Sequence, residues 1–250
     1  MNKRFLVLAS LALMSSTLWA QKIDRSKGDP ELSEIFEPEV PVVTPGKTAS
    51  DAPSDAIILF NGKDASAWQN RKGEAAAWTV ADGAMTVKPG AGEIHTRESF
   101  GDCQLHIEWR TPAEVKGNGQ GRGNSGIFLM GRYELQVLDS YNNKTYSNGQ
   151  AGSIYKQLVP SVNVCRPPGE WQSYDIIFTA PVFYDNGLLK SQARITVIQN
   201  GVLVLNNMAI WGGTEYIGMP VYERHASKLP IMLQDHGNPV SYRNIWIRPL

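Results

Sequence analysis

Helical periodicity is nearly absent from this 250-residue sequence, and so are the short motifs that announce a cofactor. No segment of helical length carries a sustained apolar stripe, which argues against a helical bundle or an α/β fold. There is no P-loop, no dinucleotide fingerprint, no His-x-x-x-His zinc pair and no Gly-x-Ser-x-Gly elbow, so neither a cofactor nor a metal is called for. Charge imbalance is missing too, with 24 basic residues against 24 acidic ones. A chain without a basic excess has no electrostatic claim on nucleic acid. Its one long apolar run, residues 5–14, is too short to span a bilayer, and no integral membrane segment is expected. Cysteine is scarce. Cys103 and Cys165 cannot build a disulfide framework and are expected as partly buried free thiols.

What is present begins with an export signal. Lys3 and Arg4 precede the apolar run, and small and polar residues lead to a cut after Ala20. The organisation expected is a signal peptide over residues 1–20, a linker or extended arm over 21–55, and one domain over 56–250. Such a protein is periplasmic or extracellular. The arm is rich in Pro, Glu, Asp, Ser and Lys and poor in periodic apolar positions.

From Ala56 the pattern is β almost throughout. Asp82-Gly83 and Asn200-Gly201 stand between alternating segments and signal two tight hairpins. Leu105, Ile107 and Trp109 alternate with polar residues, as do Tyr174, Ile176 and Phe178. Many short strands without intervening helices specify an all-β, antiparallel β-sandwich.

The stretch from Arg122 to Asp139 is the most informative. It reads as two strands joined at Gly131-Arg132, the second presenting Tyr133, Leu135 and Val137 on one face and Glu134 with Gln136 on the other. The glycines of Gly123-Asn-Ser-Gly126 mark a place where something approaches the backbone closely, read here as a ligand. His106, Glu108 and Arg110 share another face, and Gln234 and His236 a third, while residues 139–159 form a polar, aromatic loop that reads equally as the rim of a sugar site and as an ordinary surface excursion. A polar strand face is commonly just the wet side of a sheet, so Glu108 and Arg110 also read as a surface pair and His106 as solvent-facing. The residues alone specify an exported β-sandwich that binds something polar.

Several stretches together resemble the 3-keto-disaccharide hydrolase family. They are Leu-Phe-Asn-Gly-Lys-Asp from Leu59 with Trp68, Gly-Asn-Ser-Gly-Ile-Phe-Leu from Gly123, Tyr-Glu-Leu-Gln-Val-Leu-Asp from Tyr133 and Gly-Ser-Ile-Tyr from Gly152. Pro-Pro-Gly-Glu-Trp from Pro167, Gln-Asp-His-Gly-Asn-Pro from Gln234 and Arg-Asn-Ile-Trp-Ile-Arg-Pro from Arg243 complete the set. The resemblance implies a concanavalin-like (laminarinase-like) jelly roll with substrate on a concave face. It also implies cleavage of 3-keto-glycosides or 3-keto-disaccharides, the ketone having been installed by a separate sugar dehydrogenase. The family's motif positions fall on Glu134, Gln136, Asp139, Gln234 and His236, with Asn124, Ser125, Tyr155 and Arg243 in the same motifs. Lys156 and Glu108 complete the candidate substrate-binding set. Residues 114–121 are an insertion that bears on aglycone preference.

A ketone at C3 acidifies the C2 proton, so a base near C2, donors at the ketone oxygen and an acid for the leaving oxygen suffice for elimination, after which water adds back. Glu134 or His236 is the expected base, the other assisting the leaving group. Arg243, Gln136 or Lys156 would polarise the ketone. Two rivals share the fold: a conventional glycoside hydrolase using Glu134 with Asp139 or Glu108, and a carbohydrate-binding module without chemistry.

Overall fold

A computed structural model describes residues 28–250, so the expected leader lies outside the described residues. Residues 28–42 are a unit of their own, whose regular feature is a 3-10 turn at Pro30–Ser33 begun by the Asp29 carboxylate accepting from the Glu31 amide. The second unit, Val43–Leu250, holds fifteen strands. They are β1 (Ile57–Phe60), β2 (Trp68–Gln69), β3 (Thr79–Ala81), β4 (Ala84–Thr86) and β5 (Ile94–Phe100). Next come β6 (Cys103–Arg110), β7 (Ser125–Leu129), β8 (Tyr133–Val137), β9 (Gln172–Thr179) and β10 (Val182–Phe183). The chain ends with β11 (Leu189–Ser191), β12 (Arg194–Gln199), β13 (Val202–Ala209), β14 (Leu229–Leu233) and β15 (Ser241–Pro249).

All pairings are antiparallel. A large sheet runs β13-β12-β9-β6-β15-β4-β3, with β1 also on β15, and a smaller one runs β2-β5-β14-β7-β8. The result is the antiparallel jelly-roll sandwich expected. Its core follows from the pleat: Leu105, Ile107 and Trp109 on β6 and Tyr174, Ile176 and Phe178 on β9 are buried in one cluster with Ile127, Leu129, Tyr133 and Leu135 of the small sheet. The Tyr133 and Phe178 rings, 5.9 Å apart, meet across the sandwich.

Turn chemistry sets the hairpins. Asp82 and Gly83 (φ 50° and 75°) join β3 to β4, and Asn200 and Gly201 (φ 52° and 81°) join β12 to β13, the paired positive φ values a type I′ turn requires. Between β7 and β8 the turn sits one residue earlier than Gly131-Arg132. Met130 and Gly131 take φ 56° and 61°, and the Arg132 amide closes onto the Leu129 carbonyl at 3.1 Å. Residues 43–55, read as part of the arm, belong to the compact unit. The Ser50 carbonyl accepts from the Asn244 amide and the Trp246 indole, and Asp55 pairs with Arg248.

Candidate functional site

The outer face of the small sheet carries a cleft of about 640 Å³. Its floor is laid down by register: Phe128 lies opposite Glu134, Gly126 opposite Gln136, and the Gln234 amide donates to the Gly126 carbonyl. Side chains on alternate positions of β8 therefore split between core and cleft, with Tyr133, Leu135 and Val137 inside and Glu134 and Gln136 outward. Two phenols from the large sheet brace this floor from beneath. Tyr174 Oη donates to the Gln136 carbonyl at 2.8 Å, and Tyr242 Oη donates to Ser125 Oγ, which donates in turn to the Gln234 carbonyl.

β8 is an edge strand, and loops cover it. The Gln136 amide donates to the Ser153 carbonyl, while the Gly152 and Tyr155 amides donate to the carbonyls of Gln136 and Glu134. This docking sets Tyr155 against the cleft, where its hydroxyl meets that of Tyr146 at 2.7 Å. A second loop is fastened by the Thr214 amide to the Arg132 carbonyl and by Thr214 Oγ1 accepting from the Glu134 amide.

Glu134 is only 5% exposed, and its carboxyl accepts no hydrogen bond from any described residue. Burial pushes its pKa up from 4.5 to about 8, leaving it mostly protonated at neutral pH. It is the one carboxyl group lining the cleft among the described residues, and His236, exposed at the rim, is the one imidazole. Gln120, Asn124, Gln136 and Gln234 line the cleft as well. Gln136 Nε2 donates to Gln120 Oε1, but the buried Oε1 atoms of Gln136 and Gln234 have no partner among the described residues. Amide side chains both donate and accept, which is what sugar hydroxyls require of their partners.

Of the residues singled out in the sequence, Glu134, Gln136, Asn124, Tyr155, Gln234 and His236 share this cleft. The others do not. Ser125 faces inward as the link between sheets. Asp139 accepts from Arg122 Nε at 2.6 Å and from the Tyr141 amide, with its side chain nearly inaccessible; it lines a separate cavity of about 320 Å³. Lys156 Nζ lies 4.3 Å from the Tyr216 ring centre and donates to the Tyr216 carbonyl. Glu108 and Arg243 are bound to each other at 2.6 Å on the outer face of the large sheet, across the sandwich, and Arg243 stacks on Trp171. Neither can reach a ligand in the cleft. The pleat decides which side chains share a face but not which sheet's outer face carries the ligand. Gln120, Phe128, Thr214 and Tyr216 were missed; the last two sit in a loop without periodicity, where no sequence signal marks them.

Comparison with known proteins places this β-sandwich and its amide-lined cleft in the glycosyl-hydrolase-like class. The chain belongs to the family described as the 3-keto-alpha-glucoside-1,2-lyase-like domain, whose pattern matches residues 55–248. It is 24% identical to a 3-keto-disaccharide hydrolase of Bacteroides thetaiotaomicron over 78% of each chain. A crystal structure from Parabacteroides distasonis, provisionally named a glycosyl hydrolase, is 54% identical, with TM-score 0.85 over 89% of this chain and 97% of that one. A second from the same organism shares the fold at 23% identity, with TM-score 0.56 over 78% and 94% of the two chains.

Proposed function

We propose that the chain cleaves glycosides whose sugar carries a ketone at C3, by elimination across C1 and C2 followed by addition of water. The observation that carries this reading is the meeting in one cleft of a single raised carboxyl, Glu134, with a single imidazole, His236. A conventional glycosidase needs two carboxyl groups flanking one bond. The partners available in the sequence, Asp139 and Glu108, are held elsewhere by arginines. A binding module has no use for a desolvated, unpaired carboxyl, which costs stability and is characteristic of functional sites.

We read the roles from the floor. Gln136 and Gln234 meet across Gly126, and this amide end, with His236, is taken as the seat of the keto sugar, with Glu134, two residues from Gln136 on the same strand, on the leaving-group side. His236 takes the C2 proton, the electron pair forms the C1=C2 double bond, and the C1–O bond breaks. Glu134, protonated, supplies the proton to the departing oxygen. For hydration the Glu134 carboxylate takes a proton from water, the hydroxide adds to C1, and His236, exposed and therefore in exchange with solvent, delivers a proton to C2. Both groups end as they began. The family's description as 1,2-lyase-like names the same two carbons. The basic and apolar opening of the chain fits export, and among the described residues no helix is long and apolar enough to cross a membrane. The ketone must come from a separate sugar dehydrogenase.

Methyl 3-keto-glucoside and its unoxidised parent, offered side by side in deuterated water, test the reading. Only the oxidised compound is expected to turn over, with deuterium at C2 of the product. Cleavage of the parent, or product without enzyme-dependent deuterium at C2, rejects it.

A further inference from the structure

The two ends of the cleft differ in chemistry. At the His236 end the amides of Gln136 and Gln234 lie side by side across Gly126, whereas around Glu134 the lining is aromatic: Phe128 stands opposite it, the Tyr155 amide bonds its carbonyl, and Tyr155 and Tyr216 flank Lys156. Part of the polar capacity at this second end is taken up within the protein: the Tyr146 and Tyr155 hydroxyls bind each other, Thr214 Oγ1 accepts from the Glu134 amide, and Lys156 Nζ donates to the Tyr216 carbonyl. What this end offers most is ring surface.

Tyr216 sits at the tip of a loop closed by the Gly213 amide on the Val221 carbonyl. Tyr216, Ile217 and Met219 are 72%, 83% and 75% exposed, an apolar tip held in water although the loop is tied down at Thr214 and at Lys156. Such a patch continuous with a ligand cleft marks a binding surface. We propose that this end is the leaving-group subsite and selects glycosides bearing a flat, apolar aglycone over those bearing a second hexose. The proposal rests on the elimination reading above, because it places the departing group beyond Glu134.

Three 3-keto-glucosides test it on the full chain: methyl, benzyl and a glucosyl-glucose disaccharide. Methoxide and benzyloxide are leaving groups of closely similar basicity, so their comparison isolates the subsite. Burying part of one ring is expected to favour benzyl over methyl by about tenfold in kcat/KM, expressed mainly in KM. The disaccharide departs as a less basic alkoxide, so it is compared by KM alone, which should not fall below that of the methyl compound. Tyr216→Ser, or Ile217→Ser with Met219→Ser, should bring the benzyl-to-methyl ratio towards one. A ratio near one in the unaltered protein, a disaccharide KM below that of the methyl compound, or a ratio that the substitutions leave intact overturns the subsite. If none of the three compounds turns over, the elimination reading has failed instead. The subsite is then judged by calorimetric titration of the same compounds, with the same ratio as criterion.

Discussion

The Glu134 side chain lies directly over Gly126 on the neighbouring strand, so close that a Cβ built at Gly126 would stand 2.6 Å from Glu134 Oε1. The same Cβ would stand 2.8 Å from the Phe128 ring. Glycine in this strand makes room for the protein's own acid, where the sequence suggested room for a ligand.

Gly126→Ala follows from that contact. Both the Glu134 carboxyl and the Phe128 ring must give way to the methyl group, and displacing the carboxyl by about an ångström typically costs on the order of 10²-fold in rate. We expect kcat for a 3-keto-glucoside to fall by about that factor, with stability lowered by roughly 1–3 kcal/mol, the range for overpacking. Full activity would mean that the position of Glu134 does not matter to turnover.

The raised Glu134 pKa gives a signed prediction for the rate. As general acid the group works protonated, so kcat should fall as pH rises through about 8. Glu134→Gln should remove that limb and lower kcat on methyl 3-keto-glucoside by roughly 10²–10⁴-fold. A 4-nitrophenyl leaving group needs no proton, so its elimination should be far less affected. Equal losses on the two compounds would assign Glu134 to the C2 proton instead.

Much of this architecture was legible beforehand, and for local reasons. Asp82-Gly83 and Asn200-Gly201 dictate their turns through positive φ, and the alternation over residues 133–137 places Glu134 and Gln136 on one face whatever the tertiary structure. The errors at the site are non-local. Glu108 and Arg243 carry the right chemistry on the wrong sheet, Asp139 is consumed by Arg122, and Ser125 faces Tyr242. Tyr216 enters the cleft only because Thr214 and Lys156 fasten its loop to β8 and the loop beyond it.

Stability should carry the cost of the acid. The unfolded chain ionises Glu134 near 4.5 and the folded chain only near 8, so the folded state binds more protons between those values and loses stability as pH rises through that window. Glu134→Gln abolishes this slope. Relative to the parent, the variant should gain roughly 3 kcal/mol on going from pH 4 to pH 7. Denaturant titrations at the two pH values give the number. Parallel curves would show that the carboxyl is not desolvated.

On the far side of the molecule, buried His106 binds Asp175 at 2.6 Å through Nδ1, stacks on Trp246 with ring centres 5.4 Å apart, and approaches Glu108. Burial alone would lower its pKa, but the hydrogen bonds and charges of Asp175 and Glu108 outweigh burial and raise it from 6.5 to about 9. A histidine raised on folding stabilises the fold fully below 6.5 and loses that contribution as pH climbs through 9. Asp175→Asn should therefore cost roughly 1.5–3 kcal/mol, the range for a hydrogen bond to a charged group, at pH 6. The deficit should shrink towards pH 10. Because Asp175 lies on the large sheet's outer strand face, kcat on 3-keto-glucosides should stay as it was. A deficit that is independent of pH would show that the imidazole is neutral and that Asp175 acts only as a packing partner.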